Sequence, residues 1–299
     1  MTGERRYAVI ETRGVLSLEG EDTRGFLQGL ISNDVGKVSS KRAIYATLLT
    51  PQGKFLHDFF IAERDGALLL DCERARRDDL ARRLAFYRLR ARVEVTPRDD
   101  LAVLVLHGEG AGAALGLDDV EGRARPFTDG VAFIDPRLAA AGARAILPAS
   151  NARRAAEAAG FAPGDVADYD RRRLALALPD GSRDIRVEKS ILAEIGIEGL
   201  NGLDFEKGCF VGQEVTARSY HRASLRKRLF GVEIDGPPPA PDTPVTLAGR
   251  AAGEMRSAGG ERGLAVLRLD RVAEAAESGD SLRAGDARLR PVKPPWARF

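Results

Sequence analysis

Residues 207–214 gather a cation, a thiol, an amide and a carboxylate around two glycines: Lys207-Gly208-Cys209-Phe210-Val211-Gly212-Gln213-Glu214. They follow the apolar turn Leu200-Asn201-Gly202-Leu203-Asp204-Phe205. Glycine at 208 and 212 allows positive φ or close backbone approach, so the Cys209 sulfur is expected to stand clear. A thiol acts as nucleophile or metal ligand through its thiolate, and a neighbouring ammonium such as Lys207 lowers its pKa from about 8.5. The chemistry implied is that of an accessible thiolate. A cysteine in an apolar stretch is ordinarily a small buried hydrophobe, but the flanks here are charged and glycine-rich. Cys72 is the contrast. It ends the apolar, strand-length run Ala67-Leu68-Leu69-Leu70-Asp71-Cys72 and is expected in the core.

Other chemistries are poorly supplied. His57, His107 and His221 are scattered, and no Cys or His pair has zinc-ligand spacing. Two cysteines cannot furnish four thiolates. An iron–sulfur cluster on Cys209 would therefore be shared with another protein or with small thiols. There is no G-x-S-x-G elbow, and only spacing leaves a Cys209–His221 protease pair open. Gly108-Glu109-Gly110-Ala111-Gly112-Ala113 fits G-x-G-x-x-A, with Asp135 after a later apolar run. It comes deep in the chain, however, where a dinucleotide unit would open its domain, so a plain strand-to-helix turn is expected. Arg74, Arg76, Arg77, Arg82, Arg83, Arg88, Arg90 and Arg92 crowd one stretch that could face phosphates. Asp78, Asp79 and Glu94 interrupt them and no aromatics alternate as a stacking platform requires, which predicts a solvated helix face.

The elements that must position the thiol read as α+β, since helix and strand alternate irregularly. Two short strands lie in residues 7–18 around Arg13-Gly14. Asp22 is expected to cap a short helix carrying Phe26, Leu27, Leu30 and Ile31. Residues 44–49 and 55–62 form a hairpin across Thr50-Pro51-Gln52-Gly53. Residues 68–72 make another strand, and a helix over 74–87 buries Leu80, Leu84 and Tyr87. Strands follow at 92–95 and 101–106, and the alanine-rich residues 138–160 read as helix-prone filler. The five prolines in residues 236–244 predict a stiff connector, with a small β-rich domain beyond it.

At 299 residues the chain is long enough for two domains and needs no disulfide staples. Its 46 basic and 44 acidic side chains nearly cancel, at net charge +2, which favours solubility over a nucleic-acid partner held by bulk charge. No stretch approaches the roughly 20 apolar residues of a membrane span. A polar start running into a strand by Tyr7 leaves no room for a signal or transit peptide. With two cysteines in different settings, this predicts a cytoplasmic protein.

Residues 207–214, continued as Val215-Thr216-Ala217-Arg218, closely resemble the K-G-C-[YF]-x-G-Q-E signature of the YgfZ family. That family includes mitochondrial iron–sulfur assembly factors and is related to the glycine-cleavage T protein. Phe26-Leu27-Gln28-Gly29-Leu30-Ile31-Ser32-Asn33-Asp34 is similar to the family's F-L-Q-G-x-x-x-N-D segment, and Thr50-Pro51-Gln52-Gly53-Lys54 to its P-x-G-[KR] hairpin. Arg226-Lys227-Arg228-Leu229, Ser257 and residues 264–268 also fit, so the resemblance covers essentially the whole chain. It implies a folate-binding core of mixed α/β subdomains over residues 1–235, a linker at 236–244, and a small C-terminal β-barrel over 245–299. Two positions depart. Ala223 stands where many relatives have glycine, and His57-Asp58 where the T protein has two aspartates near its folate.

The resemblance implies a folate-dependent accessory factor for iron–sulfur cluster assembly or repair, without turnover of its own. Cys209 would lend a thiolate to a cluster shared with an A-type scaffold or an acceptor enzyme, Lys207 would favour that thiolate, and Gly208 and Gly212 would shape the loop. Asn33, Asp34, Asp58, Gln213, Glu214 and Arg218 would be candidate contacts of a tetrahydrofolate, with Gln213 and Glu214 either touching the folate or orienting the loop by hydrogen bonds. Glu214 and Arg218, four apart, would pair if helical. Two alternatives stand beside this. One is a tetrahydrofolate-dependent aminomethyl or methyl transferase, for which the second aspartate is missing. The other is a link to tRNA modification, expected to act through iron–sulfur enzymes rather than by direct tRNA binding.

Overall fold

The structure, a computed structural model, describes residues 3–221 and 225–299. Ala223 lies outside them. The chain folds as two compact units, each assembled from separate stretches. Met1–Leu49, Leu56–Tyr169 and Leu200–Val211 form the first; Thr50–Phe55, Asp170–Gly199 and Gly212–Phe299 form the second. No helix among the described residues is long and apolar enough to cross a membrane.

The first unit holds two sheets. One has the strand order Ala162–Pro163, Arg6–Val9, Leu101–His107, Ala143–Pro148, Gly130–Ile134, Ala124–Phe127. The other runs Ile44–Leu49, Phe55–Arg64, Ala67–Glu73, Arg13–Glu19, Glu94–Pro97. The strands flanking Arg13-Gly14 therefore belong to different sheets. The Arg77–Arg88 helix buries Leu80 and Leu84, as its spacing predicts, while Tyr87 is half-buried. Asp22 precedes the Thr23–Gln28 helix but makes no side-chain cap; its carboxylate accepts the Arg92 amide at 2.8 Å instead. The alanine-rich stretch is only partly helical. Ala143–Pro148 is a strand because it completes the ladder between Leu101–His107 and Gly130–Ile134, a tertiary demand that overrides alanine's helix preference.

Charge is buried here, and it is paired. Arg13 Nε and Arg144 Nη2 each donate to Asp71 at 2.6 Å, joining the two sheets. Arg137 donates to Asp135 at 2.8 Å. The three guanidinium groups surround the Phe60 ring at 5.6, 4.9 and 4.1 Å for Arg13, Arg137 and Arg144. Isolated charges could not be buried this deeply. Asp135 is thus committed to Arg137, and the Ala111–Ala114 helix after the glycine run has a single turn. Gly108 is glycine because a Cβ there would meet the Arg5 backbone at 2.7 Å. That segment is a turn.

The second unit is built on a closed barrel of six strands: Lys227–Asp235, Arg262–Arg268, Arg250–Gly259, Pro244–Leu247, Leu282–Ala284 and Ala287–Val292. Its inside is filled by Val232, Val245, Leu247, Met255, Leu267, Leu282 and Leu289. The proline segment is therefore not the edge of this domain. Lys227–Asp235, which precedes it, pairs with both Arg262–Arg268 and Ala287–Val292. Prolines 237–241 form the loop between two barrel strands, where a missing amide costs nothing, and Pro244 opens the next strand. Helices at Gly181–Asp184, Leu192–Ile195, Gln213–His221 and Leu269–Ser278 also belong to this unit.

Candidate functional site

Two motifs far apart in sequence are stitched together in the first unit. Ser32 is fully buried; its hydroxyl donates to the Gly202 carbonyl at 2.6 Å and accepts from the Thr47 amide and hydroxyl, each at 2.9 Å. The Asn33 amide nitrogen donates to the carbonyls of Tyr45 and Asn201, both at 2.8 Å, and its oxygen accepts the Asp34 amide at 2.8 Å. Gln28 Nε2 donates to Asp34 Oδ1 at 2.9 Å and to the Lys207 carbonyl at 3.0 Å. The Asp204 and Val211 amides donate to the carbonyls of Ser32 and Gly29 at 3.0 and 3.1 Å. Lys37 pairs with Asp204 at 2.6 Å. Residues 28–37 thus form a cradle that fixes the path of residues 201–211.

Cys209 sits on that fixed path and is exposed, whereas Cys72 is buried. Burial pushes the Cys72 thiol up to about 12, so Cys209 is the thiol available for chemistry. Gly208 beside it has φ +92° with open space where a Cβ would stand; glycine serves here for its conformation, not for close packing. Lys207 has a further role besides neighbouring the thiol. Its ammonium donates to the Gln28 carbonyl and lies 5.0 Å from the Phe210 ring centroid. Burial lowers its pKa, while Asp34, Asp204 and, least of all, Cys209 push it back. The bond to Gln28 ties the loop onto its cradle.

Past Val211 the signature enters the second unit. Gly212 has φ +84° and leads into the Gln213–His221 helix, where Arg218 pairs with Glu214 one turn away, as the spacing predicts. Gln213 is half-buried, Glu214 exposed. His221 ends the helix and its side chain is outside the described residues. The Thr50–Lys54 turn packs on the same helix: a Cβ on Gly53 would sit 2.9 Å from Val215 Cβ and 3.1 Å from the Gly212 carbonyl. That contact explains the glycine of the hairpin motif.

His57 and Asp58, neighbours on one strand, face opposite ways. Asp58 is buried and accepts the Tyr45 hydroxyl at 2.9 Å. His57 is buried on the other face against Asp79, at 2.9 Å. Position 57 therefore cannot supply a second carboxylate beside Asp58, and its histidine does not decide between transferase and non-transferase. The arginine stretch is largely committed to neighbours: Arg77 to Asp99, Arg82 and Arg83 to Asp79, Arg92 to Glu21. Sequence reasoning missed Ser32, Gln28 and Lys37. Ser32 and Gln28 lie inside a recognised motif, but their partners in the 200s could be found only in three dimensions.

Comparison with known proteins bears on this geometry. A family model described as the CAF17 C-terminal beta-barrel domain matches residues 226–299, which includes the barrel's first strand. The human mitochondrial iron–sulfur cluster assembly factor IBA57 is 33% identical over 285 residues, covering 88% of this chain and 77% of the relative. This chain belongs to the IBA57 family. The Mycosarcoma maydis IBA57 homolog is 30% identical over 319 residues, covering 91% and 76%. The glycine cleavage aminomethyltransferase T of Bartonella henselae superposes with TM-score 0.80 at 17% identity, covering 98% of this chain and 86% of that one. The T-protein-like α+β fold with its C-terminal barrel is thereby established, as is the kinship with YgfZ proteins. The expectation of a cytoplasmic protein does not stand, because the IBA57 relatives are named as mitochondrial.

Proposed function

We propose that this chain is an accessory factor in iron–sulfur cluster assembly or repair, and that Cys209 supplies one thiolate to a cluster shared with an A-type scaffold or an acceptor enzyme. The observation that carries this reading is an exposed thiol on a loop whose backbone is pinned by the Gln28–Lys37 cradle. Pinning lowers the ordering entropy that a partner must overcome on binding. Among the described residues no three His, Cys, Asp or Glu side chains come together as a metal-binding group, so the remaining ligands would come from the partner. The step is ligand exchange: the thiol gives its proton to solvent, the sulfur binds iron, and an earlier ligand leaves.

A folate fits this loop region less well. The polar groups of Asn33 and Asp34 are engaged within the protein in this structure, and Asp58 is buried behind the Tyr45 hydroxyl.

The test is aconitase activity in cells lacking this protein, complemented with wild type or with Cys209→Ser. Wild type should restore activity and the variant should not, while accumulating to the same level. Undiminished aconitase in the deletion, or full rescue by Cys209→Ser, overturns the proposal.

A further inference from the structure

The C-terminal end of the Arg77–Arg88 helix is unlike the rest of the surface. Phe86 is 77% and Leu89 is 89% exposed, the most exposed large apolar side chains among the described residues. Arg82, Phe86 and Leu89 are spaced four and three apart, on the face opposite Leu80 and Leu84, and Phe86 packs edge-on against Tyr87 at 5.4 Å. Leu89 ends the helix at φ 46°, ψ −106°, a left-handed conformation unfavourable for a bulky side chain, and one that leaves that side chain in water. Residues 82–92 contain Arg82, Arg83, Arg88, Arg90 and Arg92 and no acid. Arg88 reaches the Val93 carbonyl at 3.4 Å, and neither Arg88 nor Arg90 is paired with a carboxylate among the described residues.

We propose that this tip is a peripheral docking site for an anionic lipid bilayer, with Phe86 and Leu89 entering the interface and Arg88 and Arg90 meeting lipid phosphates. Size and chemistry favour a bilayer over the other occupants. Two projecting side chains are far short of the roughly 800 Å² that each partner gives to a stable protein interface, whereas shallow insertion needs only a few apolar groups beside basic ones. Leu89, the most exposed of them, has no ring on which a nucleic-acid base could stack. The surface charge matches an anionic leaflet, which attracts each nearby arginine.

Co-sedimentation of the full chain with phosphatidylcholine vesicles, with and without phosphatidylserine, tests this. Binding is expected only with the anionic lipid. It should fall about tenfold or more in Leu89→Ser and roughly thirtyfold in the double variant Arg88→Ala, Arg90→Ala. These side chains are exposed, so thermal melting should not change. Phe86→Trp should shift its emission to the blue on adding anionic vesicles, an independent sign of insertion, since Trp296 is already buried. No binding to anionic vesicles, or binding indifferent to these changes, overturns the proposal. So does vesicle-independent binding of transfer RNA that survives Leu89→Ser.

Discussion

Ser32→Ala removes one oxygen and introduces no clash, yet it should be among the most damaging small substitutions in this chain. The lost hydroxyl serves three partners in a fully buried site. The Thr47 hydroxyl can rotate to another acceptor, but the Gly202 carbonyl and the Thr47 amide cannot move. A stranded buried polar group costs about 1–3 kcal/mol, so the two together predict a loss of roughly 2–6 kcal/mol. In a protein of this size that lowers Tm by roughly 3–10 °C. Ser17→Ala is the control: Ser17 makes one half-buried bond to Glu19 at 2.7 Å, and its loss should cost about 1 kcal/mol. Denaturant unfolding gives the energies. Hydrogen exchange gives the location, because the Asp204 amide, bonded to the Ser32 carbonyl, should lose protection first. A Ser32→Ala protein within about 0.5 kcal/mol of wild type, with residues 201–211 as protected as before, would refute the cradle argument.

Three further outcomes follow from particular side chains. Burial, then Arg76, pulls His57 from 6.5 down to about 4. The unfolded chain therefore takes up a proton below pH 6.5 that the fold refuses until about pH 4. Stability present above pH 6.5 should be lost across that window, by up to about 3 kcal/mol, and His57→Gln should flatten this acid limb of the stability curve. In the native protein a disulfide reagent should modify Cys209 and spare Cys72, whose thiol is pushed up to about 12; a second equivalent should react only on unfolding, and Cys209→Ser should abolish the native reaction. Gly53→Ala combines a positive φ with a Cβ 2.9 Å from Val215 Cβ. It should cost roughly 1–3 kcal/mol, measurable as a lower Tm.

Local signals were legible wherever local forces decide. The exposure of Cys209 followed from glycines and charged flanks, the burial of Cys72 from an apolar run, and the Glu214–Arg218 pair from helical spacing. The hairpin around Gly53 was equally clear. Long-range demands were not. Nothing in the composition of residues 143–148 says that a neighbouring ladder will make them a strand. A run of prolines looks like a domain edge until the strand before it is found closing a barrel. Lys207 next to Cys209 suggested a cation beside the thiol, but its bond to the Gln28 carbonyl, 179 residues away, could not be read from the sequence. His57-Asp58 read as a weakened acid pair, although strand alternation already places the two side chains on opposite faces.

The division of the chain into interleaved stretches has a consequence for how the protein is made. Ser32 and Asn33 leave the ribosome long before Asn201 and Gly202, the residues whose carbonyls they bond. Until those residues emerge, buried polar groups of the cradle have water or chaperones for partners. The two ends of the cradle then close a loop of 170 residues in the case of Ser32 and Gly202, a non-local step that is slow compared with forming any single hairpin. A chain truncated before residue 200 cannot complete the first unit at all, so nonsense products should be cleared rather than persist as a stable fragment. The thiol-bearing loop is among the last parts of that unit to be synthesised, and Cys209 cannot reach its pinned position before the rest of the unit is there to receive it.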